Sequence, residues 1–96
     1  MKCDFCMAEL PEMWGFMVSQ FTEPVWGVTN LAAEWGACDE CRALIVAGDP
    51  RGVARRVKRL HPDMPFDALW RCYSMLLRHI TGPLVRCHDQ RSPLYG

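Results

Sequence analysis

The sequence predicts a small α+β fold: a four-cysteine knuckle with a short β-hairpin, followed by three helices. Three observations carry this. Two cysteine hooks, Cys3-Asp4-Phe5-Cys6 and Cys38-Asp39-Glu40-Cys41, are separated by 31 residues. Between the hooks apolar residues alternate with period two, as in a half-buried strand. After the second hook they recur at three- and four-residue spacing as far as residue 80, as in amphipathic helices. Ninety-six residues make one small domain, which buries a modest share of its surface and gains from a cross-link. Half of the residues are apolar and four are tryptophans, which supports a packed core and argues against disorder.

The hooks set the chemistry. Two thiolates three residues apart in a tight turn can reach one ion, and two such turns supply a closed tetrahedral set. Cys3, Cys6, Cys38 and Cys41 are therefore the expected ligands of one structural Zn2+. A four-cysteine site has no open position for water or substrate. Its role is folding energy, about 10–16 kcal/mol of apparent binding in comparable peptides, rather than hydrolysis. Iron in the same four-sulfur cage and redox chemistry at Cys38–Cys41 are the chemical alternatives. No signal peptide precedes Cys3, and no apolar run approaches the roughly 18–20 residues that span a bilayer. A reduced, cytoplasmic metal protein is expected ahead of a secreted disulfide scaffold.

The elements follow in order. Met7–Met13 reads as a turn region, with Pro11 against any regular element. Trp14, Phe16 and Val18 alternate with Gly15, Met17 and Ser19, which predicts the first strand. Glu23-Pro24 breaks it, and Val25–Asn30 reads as a second strand with Trp26 and Val28 on one face. Gly36 loosens the chain before the second hook. From Asp39 the pattern is helical: Leu44 and Ile45 stack over Cys41, and Asp39 and Glu40 occupy the first turn, where the helix dipole favours acids. Gly48 ends this helix. Asp49-Pro50 starts the next, as an N-cap followed by proline at the first helical position.

At about 100° per residue, Arg51, Arg55, Lys58 and Arg59 share one face of the helix over 50–60, and Val53, Val57 and Leu60 share the opposite one. His61-Pro62 stops that helix and Asp63 can cap the third. There Phe66, Leu69, Trp70, Tyr73, Leu76, Leu77 and Ile80 form an apolar stripe expected to pack on the knuckle, until Thr81-Gly82-Pro83 ends it. The organisation expected is a zinc-binding module over 1–49, a two-helix extension over 50–83 packed on it, and an irregular tail over 84–96, all in one structural domain. Cys72, Cys87 and His88 could form a second metal site only if the tail folds back, and the simpler role for Cys72 is that of a small hydrophobe.

The net charge is zero, but it is unevenly spread. Residues 1–50 hold two bases against eight acids, and residues 51–96 nine bases against three. Arg51, Arg55, Arg56, Lys58 and Arg59 are the candidate macromolecule-binding residues, able to neutralise phosphates or meet an acidic protein, or simply to face solvent. The face lacks the Asn and Gln that read bases. No serine–histidine–acid set, phosphate-binding glycine loop or paired carboxylate motif is present, so no enzyme activity is expected.

Three resemblances bear on these expectations. A hairpin before a second hook that opens a helix resembles the treble-clef arrangement more than a plain zinc ribbon. The nucleases that share that arrangement use a histidine base, and residues 7–50 contain no histidine. A basic helix, His61-Pro62-Asp63 and an amphipathic helix together resemble the J-domain of co-chaperones, in which that tripeptide stimulates a heat-shock ATPase. The short loop and the lack of a preceding J-type helix depart from that family. Finally, Cys3-Asp4-Phe5-Cys6, the block from Glu34 through Ile45, Gly48-Asp49 and Arg78-His79-Ile80-Thr81-Gly82-Pro83 resemble small actinobacterial and actinophage zinc-binding proteins with paired CxxC knuckles. That resemblance implies zinc and a helical C-terminal half, and implies no activity. The function expected is non-catalytic docking on a protein partner, with nucleic acid as the alternative and no membrane or small-molecule substrate.

Overall fold

The computed structural model describes residues 1–88, and the side chain of His88 lies outside that description. The fold is α+β. Strand β1 (Glu12–Val18), the two-residue strands β2 (Phe21–Thr22) and β3 (Thr29–Asn30), and β4 (Ala33–Ala37) precede helices α1 (Asp39–Val46), α2 (Pro50–Leu60) and α3 (Phe66–Arg78). A last strand, β5 (Val85–His88), closes the described chain. The main sheet runs β4-β1-β5 and is antiparallel throughout, while β2 and β3 form a separate ribbon. The whole segment between the hooks is thus one long hairpin, β1 against β4, with the ribbon as its far end.

Alternation along β1 puts Phe16 and Val18 in the core, as their spacing predicts. Met13, of the opposite parity, is fully buried too, and Trp14 is only half-buried. As the middle strand, β1 is covered on both faces near its start, so a one-sided pattern does not describe it.

Two expectations about strands are corrected, and one strand was not foreseen. Val25–Asn30 is not a strand: only Thr29 and Asn30 pair, and Pro24–Trp26 turn. Gly27 takes a positive φ of 68°, and Glu23 binds the backbone of the loop, which favours a turn over the β-branched preference of Val25 and Val28. Gly36, expected to loosen the chain before the second hook, lies in a strand not assigned from the sequence: β4 pairs Trp35 with Phe16 and Gly36 with Gly15. The tail expected to be irregular instead supplies β5, which pairs Val85 with Gly15 and Cys87 with Met13. Arg86 adds side-chain contacts to this pairing: it bridges Glu12 and Asp39 at 2.6–2.8 Å, and its guanidinium lies 5.3 Å from the Trp14 ring centre. Residues 89–96 lie outside the described residues.

The helices follow the sequence more closely. Helix α1 ends at Ala47, with Gly48 at a φ of 68°, the left-handed conformation glycine accepts most readily. Asp49 caps α2 by accepting the Gly52 N–H at 2.9 Å, with Pro50 at the first position. Val53 and Val57 are wholly buried, whereas Leu60, expected on the same face, is exposed at the helix end. Asp63 does not cap α3; the N-cap is Pro65, with no side-chain cap. Leu69, Tyr73 and Leu76 are the buried part of the α3 stripe, and Phe66, Trp70, Leu77 and Ile80 flank the core. Past α3 the chain returns along β1, where Thr81 N–H donates to the Met17 carbonyl and Ser19 N–H to that of His79, both at 2.9 Å.

Candidate metal centre

The first hook is built by its backbone. Cys3 N–H donates to the Ala8 carbonyl at 2.8 Å, Met7 N–H to the Cys3 carbonyl at 3.0 Å, and Cys6 N–H to the Cys3 Sγ at 3.5 Å. This winding forces Met7 to a φ of 67°, a left-handed conformation that side chains disfavour. Asp4 ties the hook to the second one: its N–H donates to the Gly36 carbonyl at 2.9 Å, and its carboxylate accepts the Gly36 N–H at 2.7 Å. The second hook opens α1, with Cys38 as its N-cap residue and Cys41 one turn in.

Together they bring four buried sulfurs to one point. The ligand atoms of Cys3, Cys6, Cys38 and Cys41 all lie within 4.8 Å of one another, with Cys6 and Cys38 Sγ 3.6 Å apart. None is in a disulfide. Tetrahedral metal–sulfur bonds of about 2.3 Å place ligands roughly 3.8 Å apart, so the cluster is of the size a metal ion requires. Its electrostatics agree. By themselves the thiols must share protons: the hydrogen bond from Cys41 holds Cys3 far below the usual thiol range, and the same bond and burial push Cys41 far up. Burial likewise pushes Cys38 up. A divalent cation at the centre would let all four ionise together.

Phe5, the third residue of the first hook, is the mechanical link to the rest. It is almost fully buried, with its ring centre 5.2 Å from Tyr73 of α3, 6.0 Å from Trp35 of β4 and 6.2 Å from Phe16 of β1. The apolar stripe of α3 therefore does pack on the cysteine module.

The five cations singled out on α2 do not act as one face. Arg51, Arg55, Lys58 and Arg59 are exposed. Arg51 stacks over Trp70, with 4.5 Å from guanidinium to ring centre, Arg55 lies 4.0 Å from Asp49, and Lys58 donates to the Pro62 carbonyl. Arg56 departs from the group and turns inward. Its Nη2 is 2.7 Å from Glu40 Oε2 and 3.9 Å from the sulfurs of both Cys6 and Cys38. On a helical wheel it sits about 60° from Val53, so its place at the rim of the apolar face was open to view in the sequence. A cavity of about 500 Å³ between α1 and α2 is rimmed by Arg55, Arg56 and Arg59 over Ala43 and Leu44. His61 also turns toward the hook, its Nε2 2.8 Å from the Cys6 carbonyl, which fixes the Nε2–H tautomer for that bond.

The remaining thiols do not join the cluster. Cys72 donates to Glu23 Oε2 at 3.1 Å, and burial, helped by that carboxylate, pushes its thiol up to about 12. Cys87 sits on β5, where it donates to the Val85 carbonyl, and the side chain of His88, the other part of the suggested second site, lies outside what the structure describes. Among the described residues the four hook cysteines are the cluster able to hold a metal ion.

The sequence did not point to Glu23. The residue is 6% exposed, and its carboxylate accepts the N–H groups of Val25, Trp26 and Val28 at 2.7–3.0 Å as well as the Cys72 thiol. Burial works against its charge, but these four donors outweigh it and hold the carboxyl down at about 2. The loop so fastened leaves Trp26 64% and Val28 55% exposed, with Leu31 beside it at 73%. No family model, curated protein or solved structure matches this chain. No helix among the described residues is long and apolar enough to cross a membrane.

Proposed function

We propose that this protein is a zinc-stabilised, non-catalytic docking module that engages a protein partner through the β2–β3 ribbon. The observation that carries this is the exposure of Trp26 on a loop that is held rigid. Tryptophan is a preferred anchor at protein interfaces and removes about 150–250 Å² from water when it is buried. An exposed, mobile tryptophan would lose that gain to ordering on binding. Here the Glu23 carboxylate fixes the loop backbone, Thr22 and Thr29 hydroxyls pair at 2.9 Å across the ribbon, and Phe21 stacks at 5.5 Å on His79. Val25, Val28 and Leu31 extend the apolar surface around it.

The four-cysteine set with a knuckle, a hairpin and a helix start fits zinc in a treble-clef-like site, which is coordinatively closed. The metal is then a clasp, and a reducing, cytoplasmic setting suits four thiolates. The test is capture from the native cell with wild-type protein and the Trp26→Ala/Leu31→Ala variant, after metal analysis of both. One zinc per chain in each, with a co-purifying protein that the variant loses, is the expected result. A partner retained by the variant, or zinc-free folded protein, refutes it.

Nucleic acid is the second reading, favoured by the exposure of Arg51, Arg55, Lys58 and Arg59 along α2. It ranks lower because Arg56 is taken up by the sulfurs and Arg51 by Trp70. Binding that weakens with salt and is lost on Arg55→Glu/Arg59→Glu would raise it above the first. The contact of His61 with the Cys6 carbonyl supplies a local reason for His61-Pro62-Asp63 without a chaperone partner.

A further inference from the structure

The guanidinium of Arg56 is buried deeper than a salt bridge to Glu40 requires. Its side chain is 17% exposed, whereas that of Glu40 is 68% exposed. One carboxylate contact occupies little of a group with five N–H donors. The Nε–H is buried and has no hydrogen-bond partner, and Nη2 reaches two sulfurs, Cys6 and Cys38, at the same distance. An arginine placed this way answers a diffuse negative charge rather than a single oxygen pair. Four thiolates around a divalent cation carry a net charge of −2, and a charge so buried is costly unless it is compensated.

We propose that Arg56 is the charge-balancing outer partner of the metal cluster, donating N–H to the Cys6 and Cys38 thiolates and thereby securing the metal. It is a positioning residue, reaching the metal only through the sulfurs. The inference rests on the metal reading above. Glu40 is the discriminating neighbour. Its carboxylate orients the guanidinium, but it also lies 3.8 Å from the Cys38 sulfur and adds negative charge beside the cluster. If Arg56 serves the sulfurs, removing the Glu40 charge leaves metal affinity unchanged or raised. If Arg56 and Glu40 are only a clasp between α2 and α1, losing either weakens the site equally.

The experiment loads the full chain with Co2+ as a visible probe, then measures the thiolate-to-cobalt charge-transfer band and Zn2+ affinity by competition with a chromophoric chelator. For Arg56→Gln the expected result is about 10- to 100-fold weaker zinc, the usual effect of losing an outer partner. The band should also move to lower energy, because N–H donation no longer stabilises the sulfur lone pairs. For Glu40→Gln affinity should be equal or higher and the band should not move to lower energy. Equal losses in the two variants, or Arg56→Gln with wild-type affinity and band, overturn the proposal. Should Arg56→Gln fail to fold, Glu40→Gln decides alone: weaker metal there overturns it and equal or tighter metal supports it. Wild-type protein that takes up no stoichiometric cobalt removes the metal reading itself, which is a different failure.

Discussion

Replacing Met7 by glycine should leave the protein more stable than replacing it by alanine, the reverse of the usual effect of glycine. Met7 directly follows the first hook at a φ of 67°, where its N–H closes the turn onto the Cys3 carbonyl. A side chain in the left-handed region costs roughly 1–2 kcal/mol through its Cβ. Glycine escapes that penalty but loses about 0.5–1 kcal/mol to its freer unfolded chain. From the mid-range values the expected net gain is about 0.75 kcal/mol over alanine at the same site, and alanine is the proper reference because it removes the half-exposed methionine side chain yet keeps the Cβ. In a domain of this size, such a gain raises Tm by about 2–8 °C. Thermal unfolding should be followed by far-ultraviolet circular dichroism at one fixed free-zinc concentration, since metal binding to the folded state also moves Tm. A Met7→Ala protein as stable as Met7→Gly, or more so, would refute the strained-hook argument.

Two further predictions concern the hook's link to α3 and the ribbon. Phe5→Ala should cost about 3–5 kcal/mol, because its ring fills the space between Phe16, Trp35 and Tyr73; denaturant unfolding at fixed free zinc measures it, and a loss below 1 kcal/mol would show that the aromatic cluster is not the joint. Glu23→Gln should lower Tm at neutral pH, since an amide NH2 in place of one carboxylate oxygen would meet a donor from Trp26 and Val28 or from Val25 and Cys72. The folded carboxyl is depressed, so its contribution is complete above the ordinary value of 4.5 and disappears as pH falls toward about 2. The Tm difference between wild type and Glu23→Gln, in which metal loss common to both cancels, should therefore be constant from pH 8 to 5 and close below that; a difference that grows on acidification contradicts the assignment.

The helices and the cysteine cluster were legible in the sequence because each rests on local spacing. Asp49-Pro50 both caps and starts α2, and CxxC hooks place two sulfurs together whatever surrounds them. The sheet was less legible. Ala33–Ala37 lacks alternation and has Trp35 as its one strong β-former among Ala, Glu and Gly; it is a strand because β1 stands opposite it and the Asp4 carboxylate holds Gly36. Val25–Asn30 shows the reverse, with β-branched residues drawn into a loop by Glu23, which accepts the local N–H groups of Val25, Trp26 and Val28 and takes its fourth partner, Cys72, from α3. The strand at Val85–His88 pairs with β1 and brings Arg86 to Glu12 and Asp39, residues 74 and 47 positions away, contacts that local spacing does not reveal. Arg56 is the instructive case at the site. Composition grouped it with its exposed neighbours, while its angle on the helix already set it apart.

The clasp and the proposed docking surface are different parts of the protein, yet one helix touches both. Tyr73 of α3 packs on Phe5 inside the first hook, and the preceding residue, Cys72, holds the Glu23 carboxylate that fixes the ribbon loop. Six residues past Tyr73, His79 stacks on Phe21 at the base of the same ribbon. The ribbon itself is too short to be stable alone, since isolated two-stranded hairpins are marginal in water. Its presentation of Trp26 therefore depends on α3 being in place, and α3 sits against a knuckle whose four buried sulfurs need a cation to coexist as thiolates. On the proposed reading, a metal at the four sulfurs would contribute to docking without touching the partner, by anchoring the helix against which the apolar ribbon is held.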